Sequence, residues 1–209
     1  SGVYALGTSG SQGNLACLIT NSTFTKTYRG LLASNARATM HYCTLQNNPS
    51  PIGYGLYASN STVYIDHSTI QNHYTAGAYI TGSSTYVGFS TWDNKSGCNT
   101  LTQSSKQIYV TTNGYTQLGA GSTSGSNNVY NATGFLIQNM TSQTILAKYC
   151  FWNTSTPSFS GPVDWSNPLG SQQCSGGAGM APIAVAGELG EETVADPSSP
   201  SIKVGSYMS

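Results

Sequence analysis

Residues Gly55 to Asn72 read GLYASNSTVYIDHSTIQN, and this stretch decides the fold because it recurs. Gly55-Leu56-Tyr57-Ala58 has counterparts in Gly30-Leu31-Leu32-Ala33 and Gly77-Ala78-Tyr79-Ile80, and a threonine (Thr69, Thr44 or Thr91) stands fourteen residues after each leading glycine. Asn72, Asn47 and Asn94 follow those threonines at one spacing. Gly2-Val3-Tyr4-Ala5 leads to Ser22-Thr23-Phe24 once the polar stretch Gly7 to Gly13 is taken as an inserted loop, and Gly134-Phe135-Leu136-Ile137 leads to Cys150-Phe151-Trp152. Ile108-Tyr109-Val110 marks a coil between them. Within each copy the period is two, as in Val63-Tyr64-Ile65-Asp66, so side chains alternate between the faces of a strand. Strands that return every 22 to 25 residues, separated by Gly, Asn and Ser, leave no room for crossover helices. The expected fold is therefore all-β: a right-handed, single-stranded parallel β-helix, or β-solenoid, over residues 1–170. An irregular Gly/Ser/Pro-rich linker and tail is expected over 171–209, with Ile183, Val185 and Val194 docked on the solenoid or on a neighbouring chain.

Composition narrows the partners. Charged residues make up 7% of the chain, against about 25% in an ordinary soluble domain. Seven basic and seven acidic residues cancel, so nothing attracts a polyanion, and no nucleic acid is expected. No apolar run reaches the length of a membrane span, the longest, Met180 to Gly187, being broken by Pro182, so no membrane insertion is expected. Ser1-Gly2-Val3-Tyr4 already reads as structured sequence, as in a mature secreted product or a fragment. Five cysteines, Cys17, Cys43, Cys98, Cys150 and Cys174, show neither a CxxC pair nor histidine at zinc spacing. Cys98 and Cys174 lie in loop-like sequence and either bridge or, equally, stay free with the others.

The repeat sets a register. It puts Cys17, Ala38, Val63 and Thr85 in one inward column and Ile19, Met40, Ile65 and Val87 in the next. Ser22, Cys43, Ser68, Ser90 and Cys150 form a small-residue column at a bend. Asn47, Asn72 and Asn94 are expected to stack as an amide ladder. The six N-x-S/T triplets beginning at Asn21, Asn60, Asn94, Asn131, Asn139 and Asn153 read as turns.

GLYASNSTVYIDHSTIQN resembles the parallel β-helix repeat of pectate-lyase-like proteins, over copies running roughly from Gly2 to Trp152. Asn127 to Asn131, Ile145 to Trp152 and Gly161 to Leu169 resemble the last coils of large secreted surface proteins of Bacteroidetes-like bacteria. In those proteins a linker and a sorting domain follow, which implies a secreted or cell-surface location; the tail here is similar to the linker and lacks the sorting motif. The resemblance also raises an enzymatic alternative, a fragment of a polysaccharide lyase or glycoside hydrolase. Such enzymes use clustered carboxylates with calcium and a basic residue, or paired aspartates. Up to Leu169 the chain offers Asp66, Asp93 and Asp164. The register places Asp66 outward in a column with Thr20, His41, Gly88 and Lys148, and Asp93 beyond the next bend. Asp66, His67 and His41 are weak catalytic candidates, read first as solvated surface residues; neither a metal site nor a cofactor is expected.

Aromatic residues exceed what folding requires. The register aligns Tyr64, Tyr86 and Tyr109 in one outward column, and Tyr4, Tyr57 and Tyr79, with Leu32 and Leu136, in another. A third row, Tyr42, His67, Phe89 and Tyr149, follows at the bend. Rings about 4.8 Å apart support each other, and they also make a platform for sugar rings or for a protein surface. The expected function is a non-catalytic extracellular module, a surface stalk, adhesin or filament subunit, that meets a neutral glycan or a protein through these six tyrosines. Ser1 begins without an evident cap, so an upstream coil or a second copy is expected at that end, with self-assembly or membership of a larger surface complex as the consequence.

Overall fold

The computed structural model describes residues 2–7, 16–48, 53–91, 97–121 and 125–174. Asp93, Asn94 and the tail residues Ile183, Val185 and Val194 lie outside the described residues. Three parallel sheets wrap one core, and the described residues contain strands and turns without a helix. The first sheet holds β1 (Val3–Leu6), β4 (Arg29–Ser34), β7 (Tyr54–Ser59), β10 (Ala76–Thr81), β13 (Ile108–Val110), β16 (Ile137–Asn139) and β18 (Phe159–Ser160). The second runs β2 (Ala16–Thr20), β5 (Arg37–His41), β8 (Thr62–Asp66), β11 (Tyr86–Gly88), β14 (Tyr115–Gly119), β17 (Ile145–Ala147) and β19 (Val163–Asp164). The third stacks β3 (Thr23–Thr25), β6 (Thr44–Asn48), β9 (Thr69–His73), β12 (Thr100–Thr102) and β15 (Asn128–Tyr130). Each sheet takes one strand per coil, which makes the chain a parallel β-solenoid of about five turns.

The core is columnar because the register stacks like on like. Leu31, Leu56, Ala78, Ile108 and Ile137 pair in sequence across the first sheet, and Phe24, Leu45, Ile70, Leu101 and Val129 across the third. All but the half-buried Phe24 at the sheet's end are fully buried. The leading glycines of the repeat have a steric cause. A Cβ at Gly30 would stand 2.7 Å from the Gly55 carbonyl oxygen, one at Gly55 2.6 Å from that of Gly77, and one at Gly77 2.8 Å from that of Gln107.

Left-handed residues with φ between 46° and 59° turn most corners among the described residues. Asn35 and Asn60 turn the first into the second sheet; Asn21, Tyr42, His67, Cys98, Ser126 and Tyr149 the second into the third; Lys26, Asn47, Asn72, Gln103, Asn131 and Asn153 the third onward. Four of the six triplet asparagines are thus turn residues, since the short amide side chain tolerates this conformation. Asn139 turns the chain through its side chain instead: buried at the end of β16, its Oδ1 accepts the Thr141 N–H two residues on at 3.0 Å, an Asx turn, while its Nδ2 donates to the Gln143 and Pro162 carbonyls.

The fourth coil departs from the expected register. Val87, not Thr85, lies opposite Val63, and Tyr86 faces Thr62 rather than Tyr64. Two residues, Asn60 and Ser61, join Ser59 to Thr62, whereas the turn from Thr81 to Tyr86 takes four, opening at Gly82 with φ 91°. A second insertion lengthens the next corner. Asn99 and Thr100 therefore take the places expected of Ser90 and Thr91, and coils span 25, 31 and 28 residues rather than a near-constant 22 to 25. The small-residue column becomes Ser22, Cys43, Ser68, Asn99, Asn127 and Cys150. It is a polar ladder: Ser68 Oγ accepts the Cys43 N–H at 3.0 Å, Asn99 Oδ1 the Ser68 N–H at 3.0 Å, and Asn127 Oδ1 the Asn99 N–H at 3.0 Å. Buried polar groups paired in this way add specificity of register to an otherwise apolar stack. Cys98 bridges Cys174, with Cα atoms 5.5 Å apart, and Asn128 holds Gln173 through two hydrogen bonds of 2.9 Å, so residues 171–174 are fastened to the solenoid. Cys17, Cys43 and Cys150 are free thiols.

Candidate functional site

Two places concentrate chemistry. On the outer face of the first sheet the register runs Tyr4, Leu32, Tyr57, Tyr79, Tyr109, Gln138. Tyr109 therefore belongs to this column and not beside Tyr64 and Tyr86, because it stands in β13, which pairs with β10; Gln138 takes the place expected of Leu136, which is buried. Tyr57 and Tyr79 stack with ring centres 5.3 Å apart and planes inclined by 22°, and Tyr109 lies 5.3 Å from Tyr79, edge to face. Tyr54 packs 5.0 Å from Tyr79 and 5.8 Å from Tyr57. Strict alternation would send Tyr54 away from Tyr57. The strand instead buries two consecutive residues, Gly55 and Leu56, which returns Tyr54 to the outer face. The repeat of that Gly-apolar pair in β4 and β10 is the signal that could have found it.

The face also carries cations. The Arg29 guanidinium stands 4.4 Å from the centre of the Tyr57 ring and 5.3 Å from Tyr28, and the Lys106 ammonium 5.3 Å from Tyr109. Composition gave no hint of this, because two cations among few charges become local only through the fold. Desolvation, with the neighbouring Tyr79, Tyr28 and Tyr57, pushes the Tyr54 phenol up. The second sheet carries a smaller set, Tyr64 5.8 Å from Tyr86 and Tyr86 6.0 Å from Tyr115, folded over Gly88. Tyr86 is half-buried, and burial pushes its phenol up to about 12.

The other place is the corner after β8. Asp66 is not a solvated surface residue: its side chain keeps 3% of its exposure. Both His41 Nδ1 and His67 Nδ1 face Asp66 Oδ1, the second at 3.0 Å. The register brings His41 beside Asp66, as expected. His67 joins them because the chain is left-handed at that residue, which swings the side chain back to the side its predecessor occupies. Tyr42 lies over the pair, its ring 4.8 Å from His67 and 4.1 Å from His41. Ser68 Oγ donates to the Asp66 carbonyl at 2.8 Å and Asn99 Nδ2 to that of Ile65 at 2.8 Å, so the polar ladder fixes the backbone that carries the cluster.

The remaining expected neighbours are elsewhere. Gly88 pairs with Tyr64, one dipeptide short of Asp66, and Lys148 pairs with Asp164 at 3.0 Å. Hydrogen bonds from Ser166, followed by Lys148, hold the Asp164 carboxyl below its ordinary range. Asp66 and Asp164 lie four strands apart in the second sheet. Phe89 is buried and leaves the bend row, where Cys98 stands instead. An open groove of about 630 Å³ runs along the third corner past Lys26, Asn47, Asn72, Tyr74 and Gln103. There Asn72 donates to Asn47 at 2.7 Å and Gln71 to Gln46 at 2.8 Å, so the Asn47–Asn72 rung of the expected amide ladder forms with a second rung beside it, while Asn94 lies outside the described residues. No family model, curated protein or solved structure matches the chain.

Proposed function

We propose that the solenoid is a non-catalytic extracellular module, a surface stalk, adhesin or filament subunit, that holds a glycan strand along the outer face of its first sheet. The observation that carries this reading is the ladder Tyr57, Tyr79 and Tyr109, extended sideways by Tyr54, with rings 5.0 to 5.8 Å apart over three coils. Such a ladder offers apolar faces in a row with hydroxyls at their rims, and the Thr111 hydroxyl donates to the Tyr79 phenol at 3.2 Å. Sugar rings have the matching chemistry, an apolar face bordered by hydroxyls. Fixed rings lose little side-chain entropy on binding, which favours a platform over a flexible patch. The likeness of the coils to pectate-lyase-like proteins, and to the last coils of secreted bacterial surface proteins, belongs to the same proposal and supports export.

A neutral glycan is the proposed ligand, because the chain is only 7% charged with no net charge and stacking on tyrosine faces needs no charge on the sugar; the Arg29 and Lys106 cations beside the rings are the reason a polyuronate is included in the test. Affinity electrophoresis against neutral glucans, xylans, mannans and a polyuronate tests it. The full chain should be retarded by at least one neutral polysaccharide, and the double substitution Y57A/Y79A should abolish retardation while moving the melting temperature by only a few degrees, since each cross-strand pair contributes about 0.2 to 1 kcal/mol. Retention by the polyuronate alone would reverse the neutral assignment. Unchanged retention of the double variant, or release of reducing ends or unsaturated sugars, would overturn the proposal itself.

A further inference from the structure

We infer that His41, Asp66 and His67 form a binding site for one borderline divalent cation, zinc or a first-row neighbour of similar preference. This inference is independent of the tyrosine ladder. Two imidazoles and one carboxylate each offer one ligand atom, and the three atoms lie within 4.8 Å of one another. A tetrahedral zinc ion with bonds of about 2.0 to 2.2 Å sets its ligand atoms roughly 3.4 Å apart, so small side-chain rotations close the set. Imidazole with carboxylate is the donor mixture that suits zinc, copper, nickel and iron rather than calcium or magnesium.

The site is built rather than incidental. A buried carboxylate is costly without a compensating charge, and Asp66 is buried with the Nδ1 atoms of two imidazoles against one carboxylate oxygen. Those imidazoles compensate only while they carry an Nδ1 proton. A divalent cation compensates the carboxylate directly once the ligands are deprotonated, and it takes the Nδ1 positions whose protons would otherwise bond Asp66 Oδ1. The ligands come from two coils, His41 from one and Asp66 with His67 from the next, so the cation cross-links the stack. The backbone of each is pinned: the His41 carbonyl accepts the Asn21 N–H at 3.0 Å, the Asp66 carbonyl accepts the Tyr42 N–H at 3.3 Å, and the His67 N–H donates to the Gly97 carbonyl at 2.9 Å. Three protein ligands leave a fourth position for water or an incoming oxygen ligand, on the exposed side where His41 keeps 36% of its accessibility.

Titration of the full chain with Zn²⁺ in an isothermal calorimeter tests the inference, in two buffers that differ in protonation enthalpy. One ion should bind per chain with proton release. The substitutions H41T, which installs the residue that already stands at that position one coil earlier, and H67N, which tolerates the left-handed backbone, should together weaken binding by about 100-fold or more. Co²⁺ on the unsubstituted chain reads the ligands directly and keeps the test decisive if the double variant does not fold: d–d bands are expected without thiolate charge transfer. Absence of saturable one-to-one binding, equal affinity in a folded double variant, or an intense thiolate band from the free cysteines would overturn the site.

Discussion

His73 faces inward near the end of β9, 2% exposed, with Nε2–H donating to the Leu45 carbonyl at 3.0 Å and Nδ1 buried without a hydrogen-bond partner. Gly55 makes room for it, since a Cβ there would stand 2.7 Å from the ring nitrogen. Burial pulls its pKa from 6.5 down to about 4. Below pH 6.5 the unfolded chain takes up a proton that the folded chain refuses, so this side chain's contribution is complete above 6.5 and is lost as the pH falls towards 4. The difference corresponds to about 3 kcal/mol. Urea unfolding at pH 7.5 and 4.5 should show that loss, and H73Q should shrink it by most of that amount; an equal loss in both proteins would contradict the assignment. At this scale the sequence was partly readable. Asn21, Asn60, Asn131 and Asn153 announce turns by residue type, but Tyr42, His67 and Cys98 adopt the same backbone without being turn formers. That is why Asp66, His67 and His41, although singled out together, read from the sequence as solvated surface residues rather than as a buried carboxylate between two imidazoles.

Between residues and molecule stand the coils, whose lengths decide who meets whom. Inward columns were legible where coils have equal turns: Cys17, Ala38 and Val63, then Ile19, Met40 and Ile65, pair as the repeat indicates. They were not legible at the fourth coil, because alternation is blind to a displacement of two residues, which keeps every side chain on its face while changing its neighbour. Tyr86 stays outward yet loses Tyr64 as its direct partner. The bridge Cys98–Cys174 also acts between elements: it closes 76 residues of chain and holds the segment after β19 against the corner behind β11. Constraint of so long a loop in the unfolded chain contributes about 2 to 4 kcal/mol. Chemical unfolding with and without a reductant should show a loss in that range, with Cys150 unreactive in the native state, because burial raises its thiol to about 12. A reduced chain of unchanged midpoint would show that the fastening contributes nothing.

For the molecule as a whole, fold and face follow from one condition, that side chains one coil apart lie over each other. Five or six such layers give the apolar stacks inside, the Ser-Asn ladder along one corner and the tyrosine ladder outside. The glycan reading and the cation site both use residues from adjacent coils, so neither exists in a single repeat. The fold was legible because its period is written in the sequence; the composition of each outer face was not, because it depends on which strand each tyrosine joins. Tyr109 decides the matter, since it separates the observed arrangement from the one the repeat first suggests. Ring-proton nuclear Overhauser contacts in the isotopically labelled chain measure it directly. Contacts of Tyr79 with both Tyr57 and Tyr109, and of Tyr86 with Tyr64 and Tyr115, are the predicted result; contacts of Tyr109 with Tyr64 or Tyr86, or cross-strand Hα pairs diagnostic of antiparallel strands, would contradict it.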